Sequence, residues 1–217
     1  MSINDVLRRS LAKTYQSSWR LLVVNTALSA VVAVAILAVP TLPLGLLLAC
    51  VLAGPLAAGL AHCVVMLVRG DDIRLADAVV GLRLHWREGL VLGALFGAGL
   101  MVGVVAVTFY VSEPHRVWPL AVGAIYLIGF FCLLVLVAWP LLVADLRLGV
   151  AGALRAAGVE LLRRPWRALG LGTALLLVNL LGAVTVVPLL TLTVAYTFLA
   201  AAFAVLPELE EEEEEAA

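Results

Sequence analysis

The chain has 217 residues, of which 64% are hydrophobic and 13% are charged. A soluble domain is about half apolar and about a quarter charged, so this composition excludes a water-soluble globule and indicates a membrane protein. The formal net charge of -1 combines an acidic terminus, Glu208 and residues 210–215, with a body in which Lys and Arg outnumber the acids. That surplus is modest and does not indicate a nucleic-acid partner.

Six segments are long and apolar enough to cross a membrane, which takes about 20 residues. The last apolar run, residues 168–206, is divided at Pro188 because proline lacks the backbone donor that a continuing helix needs. The predicted spans are residues 21–39, 44–68, 90–111, 118–143, 168–185 and 188–206. We therefore expect an all-α polytopic helix bundle over residues 1–207 and a disordered acidic tail over residues 208–217.

The positions of the basic residues predict the orientation of these spans. Of the 14 Lys and Arg residues, all but Arg116 lie before the first span, between the second and third, or between the fourth and fifth. Cytoplasmic loops close to span ends retain Lys and Arg. The pattern predicts a multi-pass protein of the cytoplasmic (inner) membrane with both termini inside.

Two of the basic connectors have apolar residues at helical spacing. These residues are Ile73, Ala76, Val80 and Leu84 in the first connector, and Val150, Leu154, Val159 and Leu162 in the second. Charged residues lie off each stripe, and Asp71 or Asp72 can cap the first segment. We expect residues 71–87 and 149–164 to form amphipathic helices at the cytoplasmic interface.

Small residues in the second and third spans predict where helices approach closely. Helices in a bilayer associate through close packing and interhelical hydrogen bonds, so a regular stripe of Gly and Ala is informative. The residues concerned are Gly45, Ala49, Ala53, Ala57 and Ala61 in the second span, and Gly93 and Gly97 in the third. Pro55 is expected to kink the second span, and Pro188 to break the last run.

Few polar side chains lie within the predicted spans. Asn25 and Asn179 occupy the first and fifth spans, and His62 in the second is the only acidic or basic side chain within the six predicted spans. A buried amide needs a hydrogen-bond partner, so these residues either join neighbouring helices or line one polar cavity in the inner half of the membrane. Both interpretations remain open from the sequence.

The chain lacks the sequence patterns of soluble enzymes. It has no phosphate-binding loop, no HExxH motif and no nucleophile elbow. Cys50, Cys63 and Cys132 lie singly in apolar runs and are interpreted as packing residues, while His85 and His115 are scattered. We predict a non-enzymatic protein with no catalytic, cofactor-binding or metal-binding site.

The order of several short motifs resembles the YesL-like family of small bacterial integral membrane proteins. The residues that carry the resemblance are Trp19, Asn25, Pro40 and Thr41, then Gly54, Pro55 and Ala58, then Asp77, Gly81 and Arg83, and finally Asn179 and Pro188. The resemblance implies a domain of unknown function associated with carbohydrate-utilisation gene clusters, and it implies no catalytic residues. The polyglutamate tail departs from the family pattern.

The leading functional hypothesis is an accessory or interaction component of a membrane process such as carbohydrate uptake. Its expected partners are the lipid bilayer and either a second membrane protein, such as a permease, or further copies of this chain. The alternative is a small transporter or channel in which Asn25, His62 and Asn179 line the path. The near absence of charged residues within the spans disfavours an ion-coupled mechanism.

Overall fold

A computed structural model describes residues 6–8, 10–11, 18–38, 42–112, 118–145, 147–185 and 193–216. This part of the chain is 94% helical and contains no strand, so the fold is all-α as the sequence predicts. Its longer helices are α1 (Ser18–Ala38), α2 (Leu42–Arg69), α3 (Leu75–Leu84), α4 (Trp86–Ser112), α5 (Trp118–Ala144), α6 (Gly149–Arg163), α7 (Pro165–Thr185) and α8 (Val194–Ala216).

Three of the six predicted spans form helices that are long and apolar enough to cross a membrane. They are Pro43–Arg69 in α2, Trp86–Tyr110 in α4 and Val122–Ala144 in α5. The first and last predicted spans coincide with shorter apolar helices, Trp19–Ala35 and Val194–Leu206. The fifth predicted span forms α7, which is neither one of these three candidate spans nor one of the two shorter apolar helices. The described residues therefore fit a membrane protein and support three spans rather than six.

Helix α2 lies at the centre of the bundle and contacts α1, α3, α4, α5 and α8. Its residues Leu60 and Val64 are fully buried, together with Leu92 of α4, Val137 of α5 and Leu199 of α8. The helix continues through Pro55. A core shared by α2, α4, α5 and α8 fixes the positions of the shorter helices around it.

The outer surfaces of α4 and α5 are apolar. Large exposed side chains include Val102 and Phe109 on α4, and Leu120, Ile125 and Leu127 on α5. A soluble protein rarely exposes apolar area on this scale, whereas a membrane helix presents such residues to lipid. These faces fit contact with a bilayer.

The end of α2 is a glycine-capped turn. Gly70 has a φ of 91°, a conformation that glycine adopts without steric cost. The N–H of Gly70 donates to the carbonyl of Leu67 at 3.2 Å, and the N–H of Asp71 donates to the carbonyl of Met66 at 2.9 Å. This is the hydrogen-bond pattern of a Schellman motif, and it ends the helix before the connector.

The two amphipathic segments form helices α3 and α6, close to the predicted bounds. Helix α3 begins at Leu75, so its N-cap residue is Arg74 and not the predicted Asp71 or Asp72. The Oδ2 of Asp77 accepts the backbone N–H of Arg74 at 2.6 Å. Its apolar residues Val80 and Leu84 are exposed, and Gly81 is buried against α2. In α6 the buried residues are Ala153, Ala157 and Leu161.

Two terminal predictions have different outcomes. Pro188, proposed as the break between the last two spans, lies outside the described residues. Helix α8 continues to Ala216 and so includes the segment for which the sequence predicts a disordered tail from residue 208. Glutamate has a high intrinsic helix propensity, which favours a helical backbone over residues 210–215, whereas Pro207 lacks the N–H donor of a continuing helix.

Candidate functional site

Asn25 connects the first helix to the last. It lies on α1 with none of its surface exposed, and its Oδ1 accepts the backbone N–H of Ala195 at 3.1 Å. A buried backbone N–H group needs an acceptor. Asn25 supplies one for Ala195 from another helix.

Asn179 contacts the same end of α8 from α7. Its Nδ2 donates to the carbonyl of Leu175 and to the Oγ1 of Thr197, both at 2.8 Å. The Thr197 hydroxyl in turn donates to the carbonyl of Thr193 at 2.8 Å. Thr193 also lies against Gly182 of α7, where an added methyl group would come within 2.8 Å of its Cγ2.

We call Asn25, Asn179, Thr193 and Thr197, with the N–H of Ala195, the α8 polar cluster. The structure brings the two predicted asparagines to hydrogen-bonding sites two residues apart on α8. The cluster consists of amide and hydroxyl groups, so it provides hydrogen bonds but no acid or base that titrates near neutral pH. Its hydrogen bonds join α1 and α7 to α8.

Sequence reasoning missed Thr193 and Thr197. They lie in an apolar run in which a threonine is unremarkable, and their spacing of four residues is the only local signal. That spacing permits the observed bond from the Thr197 hydroxyl to the Thr193 carbonyl. The contact with Asn179 depends on how α7 and α8 pack, so no local pattern predicts it.

His62 occupies a different helix contact from the two asparagines. It lies half-buried on α2 and faces Gly81 of α3, where an added methyl group would come within 2.9 Å of the His62 Cγ. It is also close enough to His85 to disfavour that residue's protonation. The predicted trio is therefore divided between the start of α8 and the contact of α2 with α3.

His85, to which no role is assigned from the sequence, is buried between α3 and α4 with 3% of its surface exposed. Within the described part of the chain its Nε2 has no hydrogen-bond partner. Burial lowers the pKa of His85 below its ordinary value, Glu88 opposes this shift, and His62 adds to it. A buried imidazole in these surroundings is favoured in its neutral form.

The small residues predicted to pack helices together lie in the interior, five of them on α2 and two on α4. The stripe Gly45, Ala49, Ala53, Ala57 and Ala61 is buried. Gly93 and Gly97 of α4 face a neighbouring surface of α2 instead. An added methyl group at Gly93 would come within 3.0 Å of the Gly54 Cα, and one at Gly97 within 2.8 Å of the Cys50 Cβ. Both glycines thus allow backbone-level contact between α2 and α4.

Metal-binding geometry is not found in the described residues, where no group of three or more His, Cys, Asp or Glu side chains is suitably arranged. Cys50, Cys63 and Cys132 are free thiols. Comparison with protein-family models, with curated proteins and with solved structures finds no match to this chain.

Proposed function

We propose that this chain is a non-enzymatic integral membrane protein that serves as an accessory or interaction component of a membrane process such as carbohydrate uptake. The observation that carries this proposal is the α8 polar cluster. Its two asparagines, the strongest candidates for a polar path, hold α8 to α1 and α7 through hydrogen bonds at 2.8–3.1 Å. Side chains used in this way support a structural role in preference to a solute pathway.

The proposal includes six spans in the cytoplasmic membrane, with both termini inside. The apolar part of α8, Val194–Leu206, lies within the last predicted span, residues 188–206. Backbone N–H groups that lie within the hydrocarbon must have acceptors from the protein. The bond from Ala195 to Asn25 meets that requirement for one of them.

Single cysteines placed at Ser2 and Glu113 test this topology. In intact cells, a membrane-impermeant maleimide is expected to label the cysteine at 113 and to leave the one at 2 unlabelled until the membrane is permeabilised. The native cysteines at positions 50, 63 and 132 are first replaced by alanine. Equal labelling at both sites before permeabilisation would contradict the six-span arrangement.

The accessory role is tested by separating interaction from transport. The full chain, purified from its native membrane in mild detergent, is expected to retain a permease in fixed stoichiometry and to give no sugar flux when reconstituted alone in proteoliposomes. Flux by the chain alone would overturn the proposal in favour of the small transporter or channel. An Asn179→Leu variant that kept its fold and lost that flux would then place Asn179 on the path.

The YesL-like resemblance is part of the same proposal. Its support is the order of short motifs along the chain, and two of them fall at structural contacts. Gly54 lies against Gly89 of α4, and Gly81 lies against His62 of α2. Both are positions where a larger residue would separate two helices, which gives these glycines a structural reason to recur at these places in such a family.

A further inference from the structure

A small cleft lies where α6, α7 and α8 meet beside α5. Its volume is about 30 Å³ and it is open on one side. The charged residues that line it are Glu160, Arg164 and Arg167, and its apolar walls include Leu161, Leu171 and Val205. This space holds about two water-sized groups, enough to receive the oxygens of one small anionic group at its mouth.

The charges of the cleft favour an anion. Two arginines face one glutamate, which leaves a surplus of one positive charge among the side chains that line it. Arg164 lies at the corner between α6 and α7, where its carbonyl accepts the N–H of Ala168 at 3.0 Å, and Arg167 follows in the first turn of α7. Guanidinium groups bind phosphate through paired, charge-assisted hydrogen bonds.

The outer surface beside the cleft is suited to a membrane interface. Trp166 is 84% exposed and Leu162 is 70% exposed, and both lie within two or three residues of Arg164 in the sequence. Exposed tryptophan next to arginine is typical of the level at which lipid headgroups meet hydrocarbon. Basic pockets between membrane helices on the cytoplasmic side bind anionic lipid headgroups.

We propose that this cleft binds the phosphate group of an anionic membrane phospholipid, with Arg164 and Arg167 on the phosphate and an acyl chain against the apolar surface of α6 and α7. The inference rests on the proposed placement in the membrane. The two arginines recognise the phosphate together with the net negative charge of the headgroup, which the choline cation cancels in phosphatidylcholine. The adjoining Trp166 and Leu162 favour a lipid over free phosphate as the source.

The test is native mass spectrometry of the full chain in detergent with added phosphatidylglycerol or phosphatidylcholine. The protein is expected to retain one phosphatidylglycerol and to release phosphatidylcholine at the same collision energy. The double variant Arg164→Gln with Arg167→Gln should bind phosphatidylglycerol about tenfold more weakly or worse. The matched control Arg83→Gln with Arg155→Gln removes two exposed arginines outside the cleft and should bind as the unaltered chain does.

A lysine variant and a comparison with inorganic phosphate distinguish the proposed site from misfolding and from a free-phosphate site. The variant Arg164→Lys with Arg167→Lys retains the charge and should restore most of the binding, which excludes simple misfolding as the cause of the loss. Equal retention of both lipids, or equal loss in the control, would overturn the site. Stabilisation by inorganic phosphate as large as that by phosphatidylglycerol would overturn the lipid assignment and leave a free-phosphate site.

The lipid-binding test of the cleft gives a result that does not depend on the tests of the proposed function. Lipid retention in detergent requires no permease and no flux, so a failed copurification leaves it unchanged. A failure of the membrane placement appears in the maleimide labelling, whereas a failure of the cleft appears only in the mass spectra.

Discussion

The side-chain oxygen of Asn25 accepts the backbone N–H of Ala195, so one hydrogen bond at 3.1 Å joins residues 170 positions apart. Asn25 is fully buried. The cost of breaking this contact is therefore that of an unsatisfied buried N–H group.

Replacement of Asn25 by leucine is therefore expected to destabilise the protein by about 1–3 kcal/mol. The measurement is reversible unfolding of the purified chain in mixed micelles, followed by far-ultraviolet circular dichroism. Thr108→Val is the matched control. The Thr108 hydroxyl is exposed and bonds only to carbonyls of its own helix, so its loss should change the stability by less than about 0.5 kcal/mol. Equal effects of the two variants would contradict the role assigned to Asn25.

Gly93→Ala is expected to destabilise the bundle by about 1–3 kcal/mol, because the added methyl group meets the backbone of α2 at Cys50 and Gly54. The comparison variant is Gly129→Ala on α5, where nothing lies within 4 Å of the added carbon. That variant should be neutral or stabilising, since alanine has the higher helix propensity. Thermal unfolding of both proteins in the same detergent distinguishes them, and similar melting temperatures would argue against close contact at Gly93.

Acidification is expected to destabilise the fold through His85. Its pKa is lowered in the folded state by burial and by His62, while Glu88 opposes the shift. The unfolded chain therefore binds the proton first as the pH falls, and the stability that is present above about pH 6.5 declines below it. Thermal unfolding between about pH 7.5 and about pH 5, a range that brackets the ordinary histidine pKa, should show the melting temperature falling with pH. His85→Gln should make this fall smaller. His115→Gln is the comparison variant, and an unchanged slope in His85→Gln would contradict the assignment.

Arg20→Gln is expected to loosen the connector between α2 and α3. The Arg20 guanidinium donates to the carbonyl of Ile73, a buried residue of that connector, and it also lies 5.5 Å from the centre of the Trp19 ring. Hydrogen exchange of the amides of residues 71–74 should accelerate severalfold in this variant, as for loss of a bond of about 1 kcal/mol. Arg74→Gln, which alters an exposed side chain in the same connector, should leave the exchange rates unchanged.

Local patterns were sufficient to predict the helical class and most helix bounds. The apolar runs gave α2, α4 and α5, and helical spacing in the basic connectors gave α3 and α6. These predictions depend only on side chains close together in sequence. The buried face of α3 was harder to predict, since Gly81 is buried because it has no side chain and can approach His62.

Only part of the candidate site could be predicted from the sequence. A buried asparagine must find a partner, and that argument alone identified Asn25 and Asn179. The identity of the partners, the Ala195 N–H and the Thr197 hydroxyl, depends on how α1 and α7 meet α8. The polarity of the spans therefore predicted which residues matter, and the tertiary contacts determine what those residues do.

The glycine contact between α2 and α4 has a consequence for biosynthesis. All of its residues lie between Leu47 and Gly97, so both helices leave the ribosome well before α8. This helix pair can assemble while the rest of the chain is still being translated. The hydrogen bond between Asn25 and Ala195, by contrast, can form only after nearly the whole protein has been translated. The centre of the bundle can thus form early in synthesis, whereas the contact between its first and last helices forms late.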